Sequence, residues 1–150
     1  MKRIIIYIVT LAVLTFAPVK GAELGKMRPV EVVLVYEQNG EVVIVTDTKD
    51  IGKGENGLSA LENLKATTTG TIYLDTAQYL LIGENGEIAA EELRGHLKDN
   101  IKVCGAEKTV ELENVAVYLS VHGDLPRLKG WILGDNLPKL RMIDGRFLLE

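Results

Sequence analysis

Six residues in the first half of the chain have the spacing of a phosphate-binding loop. Gly52-Lys53-Gly54-Glu55-Asn56-Gly57 is a literal G-x-G-x-x-G between strand-like and helix-like sequence, and Asp75 follows 18 residues after Gly57. In a dinucleotide fold such glycines let the backbone approach a pyrophosphate at a helix N-terminus, and the later acid holds a ribose hydroxyl. Three features weigh against that chemistry. Asp47-Thr48-Lys49-Asp50 separates the preceding strand from the first glycine, and Glu55 sets a carboxylate where a pyrophosphate would lie. The preceding strand also pairs backward in a hairpin instead of opening a βαβ unit. We read the six residues as a glycine-rich connection from strand to helix and keep a nucleotide-binding enzyme as the lesser alternative.

Other reactive side chains are few and scattered. The chain has two histidines, His96 and His122, and neither has a second His, Cys or acid at zinc-ligand spacing. They read as a surface helix residue and as a helix C-terminal residue near the negative dipole end. Ser59 and Ser120 lie in helical sequence without a nucleophile-elbow context, and Ser120 and His122, two apart, fall on different helix faces. The single cysteine, Cys104, sits in the strand-like run Ile101-Lys102-Val103-Cys104-Gly105 and reads as a small buried hydrophobe. Asp47, Asp50 and Glu55 lack the alternating pattern of a calcium loop and read as solvated acids. Trp131, in a mostly polar tail, either packs that tail on the domain or anchors a partner. These residues define no catalytic, cofactor-binding or metal site, and no cofactor is expected.

The first residues carry an address. Lys2 and Arg3 precede an uncharged run from Ile4 to Phe16, the form of a secretory signal and short for a membrane span. Cuts after Gly21 or Ala17 each fit loosely, whereas Lys20 spoils one after Ala22, so cleavage and retention as an anchor both stay open. Of 17 Lys and Arg residues, Lys2, Arg3 and Lys20 lie within residues 1–22. The remainder carries 14 bases against 21 acids, a net charge of -7. Such a surface repels nucleic acid and anionic lipid. One cysteine allows no internal disulfide.

These side chains need positioning elements, and the patterning supplies them. Residues 30–49 predict a β-hairpin: β-branched residues alternate on both sides of Asn39-Gly40, a pair suited to a type I′ turn. Residues 50–57 are expected as a loop, leading into a helix with Leu58, Leu61 and Leu64 on one side. Thr67 to Gly70 end that helix. Thr71 to Asp75 and Gln78 to Gly83 read as strands about a bend at Asp75-Thr76-Ala77. Glu87 to Asp99 read as a helix with Ile88, Ala89, Leu93 and Leu97 inward. After a strand at 101–105, Thr109 is the expected N-cap of a third helix, with Glu111 and Glu113 in its first turn and Leu112, Val115, Ala116 and Leu119 inward. Gly123 closes it. The order β-β-α-β-α-β-α predicts an α/β (α+β) fold with a mixed sheet opened by an antiparallel hairpin. We expect an α/β domain over 23–123 and a tail over 124–150. The phrase Asp124-Leu125-Pro126-Arg127-Leu128-Lys129 recurs twelve residues later as Asn136-Leu137-Pro138-Lys139-Leu140-Arg141, too few copies for a repeat architecture. Asp144-Gly145 marks a terminal hairpin, read either as a self-contained edge or as the front of a truncated module.

Several phrases resemble the first domain of the Ger(x)C family, the C subunits of spore germinant receptors. They are the glycine-rich loop running into Ala60-Leu61-Glu62-Asn63-Leu64, and the stretch from Thr71 through Tyr79-Leu80-Leu81-Ile82-Gly83-Glu84. Leu125-Pro126 and Ile143-Asp144-Gly145-Arg146-Phe147 resemble the start of that family's second domain. The resemblance spans roughly residues 28–147. It implies a non-enzymatic, extracytoplasmic binding or assembly protein of spore germination, with integral membrane receptor subunits as partners and no catalytic residues to carry over. Family members are usually lipoproteins with a cysteine after the signal and carry two further domains. This chain has no cysteine there, and Asp75 stands where the family often has histidine. A small-ligand-binding envelope module is the alternative.

Overall fold

A computed structural model describes residues 27–150, so the signal or anchor expected over 1–22 lies outside the described residues. The fold is mixed α/β. Its strands are β1 (Met27–Pro29), β2 (Val32–Gln38), β3 (Glu41–Thr46), β4 (Ile51–Gly54), β5 (Thr71–Tyr73), β6 (Tyr79–Ile82), β7 (Lys102–Ala106), β8 (Lys139–Ile143) and β9 (Arg146–Leu149). Its helices are α1 (Gly57–Thr67), α2 (Glu87–Leu93) and α3 (Val115–His122). Seven strands form one sheet in the order β4-β3-β2-β6-β7-β8-β9, while β1 and β5 make a small parallel pair of their own. The neighbours β2, β6, β7 and β8 run parallel, and antiparallel strands close both edges.

The expected hairpin is β2–β3. Asn39 and Gly40 take positive φ values of 55° and 81°, and Gln38 pairs with Glu41. Asp144 and Gly145 do the same, at 50° and 73°, between β8 and β9.

The central strands of the sheet are buried on both faces, which explains their near-continuous apolar runs. Val33, Val35, Leu80, Ile82 and Val103 face α1 and α2 in one core. Val32, Leu34, Tyr79, Leu81, Cys104 and Leu140 face α3 and the segment before it in the other.

Four expectations need correction. Residues 51–54 are not loop but the edge strand β4, paired with β3. Asp47 to Asp50 form the tight turn between them: the Asp50 N–H donates to Thr46 Oγ1 (3.3 Å), and the Thr48 hydroxyl donates to an Asp50 carboxylate oxygen (2.6 Å). The third helix starts at Val115, not after Thr109. Val110 and Leu112 are buried while Glu111 and Glu113 are exposed, an alternation of extended chain, and Asn114 then turns left-handed at φ 66°. The second helix ends its α-helical part at Leu93 and tightens into a 3-10 turn over Arg94–His96. Ile88 and Leu58, expected inward, are exposed, because Ala89 and Ala90 of α2 and Ala60 and Leu61 of α1 take the inward positions.

Beyond residue 123 the chain stays within the same two cores. Leu125 and Leu140 lie in the α3 core, Leu128 and Trp131 in the α1–α2 core. The two Leu-Pro phrases serve one strand. The Pro126 carbonyl accepts the N–H of Val103, and the Pro138 carbonyl accepts that of Gly105, both at 2.8 Å. The first copy meets β7 antiparallel and the second parallel. Reversed direction reverses the faces: Leu125 and Leu128 enter the α3 and α1–α2 cores respectively, and Leu137 and Leu140 enter them in the opposite order.

Candidate functional site

The glycine motif is filled by the protein itself. Gly52 and Gly54 sit in β4 directly beneath α1, where a side chain on Gly52 would strike the Ala60 carbonyl and Leu64, and one on Gly54 would strike Ser59. At Gly57 a Cβ would lie 2.7 Å from the Ala89 carbonyl oxygen of α2. These residues are glycine so that helix and strand can touch. The anion position at the start of α1 is also taken, since the Gly57 N–H donates to Glu92 Oε2 at 2.6 Å. Asn56 caps the same end, accepting from the Ser59 N–H while Ser59 Oγ accepts from the Asn56 N–H. Asp75 lines a cleft with Lys65, at the other end of α1 from Gly57.

The remaining candidates stay apart. His96 is exposed in the 3-10 turn, and His122 ends α3 with its ring 4.7 Å from that of Tyr118. Ser120 donates to the Val117 carbonyl, an ordinary intrahelical bond. Cys104 is fully buried, and burial pushes its thiol up to about 12. The neighbouring Tyr79 phenol is raised too, by burial first and then by Cys104 and Glu31. Asp47 accepts the Glu31 N–H, and no group of three or more potential metal ligands occurs among the described residues. Trp131 packs the tail on the domain. It is buried, the Arg94 guanidinium lies 5.5 Å from its ring, and Arg94 also donates to the Leu128 and Trp131 carbonyls, at 2.8 Å each.

Two features that the spacing did not mark stand out in three dimensions. The first is a crevice of about 670 Å³ beyond the carboxyl ends of β6 and β7. The chain leaving β6 goes to α2 on one face of the sheet, and the chain leaving β7 goes to α3 on the other. Adjacent parallel strands whose connections part in this way leave a cleft between them, the usual ligand position in open α/β sheets. The β6–α2 loop is held over β2, with the Gly83 N–H donating to the Val35 carbonyl (2.7 Å) and the Glu37 N–H to the Glu84 carbonyl (2.9 Å). Glu84, Glu87, Lys108, Asp135 and Lys139 give the crevice both signs of charge.

The second feature is α3 itself. Val115-Ala116-Val117-Tyr118-Leu119-Ser120-Val121-His122 carries apolar residues on its outer as well as its inner side, with Ser120 and His122 its only plainly polar ones. Val115 and Leu119 are buried, yet Val117 and Val121, one helical turn apart, are 66% and 74% exposed. A helix finished for solvent would carry polar residues at those two positions. Its signal was in the sequence, since the inward stripe used only some of its apolar residues.

Comparisons with protein-family models, curated proteins and solved structures found no match. The Ger(x)C resemblance therefore rests on the quoted phrases alone.

Proposed function

We propose that this chain is a non-enzymatic, extracytoplasmic binding and assembly protein of the spore germinant receptor C-subunit kind, working through contact with integral membrane receptor subunits. The observation that carries the reading is the uncovered outer face of α3, where Val117 and Val121 offer apolar contact without being needed by the protein's own core. A protein partner laid along α3 would complete the burial that the helix composition calls for. The N-terminal apolar run, as signal or anchor, would bring the domain to the membrane where such a partner resides.

The test is co-purification of the full chain with candidate integral subunits from native membranes. Val117→Asp together with Val121→Asp should abolish recovery of the partner while leaving the melting temperature within a few degrees. Undiminished recovery with the double variant would remove α3 from the interface.

The crevice supports a second reading, a small-ligand-binding module. Its position at the parting of the β6 and β7 connections favours a small polar ligand carrying charge. A thermal-shift titration with amino acids and sugars, alongside NAD, NADP and ATP, tests it; no stabilisation by any of them removes it.

A further inference from the structure

The two edges of the seven-stranded sheet are finished differently. At β4 helix α1 lies against the backbone groups that point away from β3 and meets two of them. The Lys53 N–H donates to Asn63 Oδ1 at 3.0 Å, and the Thr67 hydroxyl, which donates to the Asn63 carbonyl at 2.8 Å, lies 3.5 Å from the Ile51 carbonyl. At β9 nothing comparable is found among the described residues. Lys139 and Glu150 exchange both N–H···O bonds, at 2.7 and 3.1 Å, so residue 150 bonds inward to β8. Antiparallel alternation then turns 146 and 148 inward as well and leaves the N–H and C=O of Phe147 and Leu149 pointing out of the sheet. This edge has no proline or bulge, and its only charge within the strand is Arg146.

We infer that β9 is the seam of a two-fold symmetric dimer, pairing antiparallel with β9 of a second copy so that Leu148 faces its own counterpart. Three independent properties of the strand meet in that one register. Phe147 falls opposite Leu149 of the partner subunit, which matches the outward-pointing backbone groups of both copies. The same register sets Arg146 opposite Glu150 of the partner subunit, twice by symmetry; each Glu150 carboxylate, which meets Arg141 of its own chain at 3.4 Å, thereby gains a second cation, so the charges are self-complementary. Leu148, 40% exposed, meets a leucine across the dyad. Moving the register by two residues breaks the charge match, and moving it by one puts inward groups against outward ones. The seam is distinct from the outer face of α3, so the dimer and the proposed membrane partner stand or fall separately.

Leu148 is a non-hydrogen-bonded position of this seam, where opposed Cα atoms lie about 4.5 Å apart, within reach of a disulfide. Cys104, buried with its thiol raised, gives no background. The full chain carrying Leu148→Cys should therefore form a covalent dimer under mild oxidation, whereas Arg146→Cys, displaced along the strand from its own copy, should remain monomeric on a non-reducing gel. In sedimentation of the full chain in mild detergent, Arg146→Glu should dissociate the dimer, and Arg146→Glu with Glu150→Arg should restore it. Equal cross-linking at both positions, cross-linking to another protein alone, or a monomer at every concentration would overturn the inference.

Discussion

Helices α1 and α3 lie on opposite faces of the same sheet and treat solvent in opposite ways. The inner side of α1 buries Ala60, Leu61 and Leu64, and its outer side presents Glu62, Asn63 and Lys65, with Leu58 the one exposed leucine in its first turn. The inner side of α3 buries Val115 and Leu119, but its outer side presents Val117 and Val121. One helix is finished as a surface helix. The other is finished as an interior helix with one side left bare, and that difference locates the proposed contact. It also shows where glycines matter: those beneath α1 are spent on close packing and leave no cradle for a ligand.

Substitutions can break the comparison from either side, and the largest effects belong inside. Leu64→Ala in α1 and Leu119→Ala in α3 should each cost about 3 kcal/mol of unfolding free energy in chemical denaturation, because both side chains are fully buried. Similar losses would show that the two inner faces are equivalent and that only the outer faces differ. Gly52→Ala should cost about 1–3 kcal/mol by forcing α1 away from β4. Gly105→Ala serves as its counterpart: a Cβ there would sit 3.6 Å from the Pro138 carbonyl oxygen, an ordinary contact, so a loss of only about 0.5 kcal/mol or less is expected.

The α3 core carries a pH signature that the α1 core lacks. An unfolded Cys104 ionises near its ordinary 9.0, whereas the folded thiol holds its proton to about 12. Between those values the unfolded state has released a proton that the folded state keeps. The contribution is fully present below about pH 9 and is lost as pH rises toward 12. A thiol reagent at pH 8 should leave the native chain unlabelled and label it on denaturation; rapid native labelling would contradict the burial of β7 beneath α3. The smallest stability effects belong outside. Val121→Asp and Glu62→Lys should each change stability by about 0.5 kcal/mol or less, and only the former should weaken partner recovery.

Elements governed by neighbouring residues were legible in the sequence. Asn39-Gly40 and Asp144-Gly145 announce their turns because the need for positive φ is local. The inward leucines of α1 and α3 follow from helical spacing, apart from Leu58. Features that depend on distant pairing were not. Nothing beside Ile51 says that Gly52 and Gly54 pair with β3, or that a carboxylate from Glu92, 35 residues along, will take the N-terminus of α1. The twin Leu-Pro phrases were visible, but their common role at β7 appears only once the sheet is assembled. The crevice was hidden for the same reason, since it arises from two connections parting to opposite faces.

Accessibility of α3 within the native assembly tests the central claim most directly. Val121→Cys in the full chain, with Cys104 silent in its core, provides a single label site, and Glu62→Cys on α1 provides the reference. A membrane-impermeant maleimide should label both positions rapidly in the purified chain. In the intact assembly it should label residue 62 as before and residue 121 at least tenfold more slowly. Equal labelling of residue 121 in both settings would contradict the account.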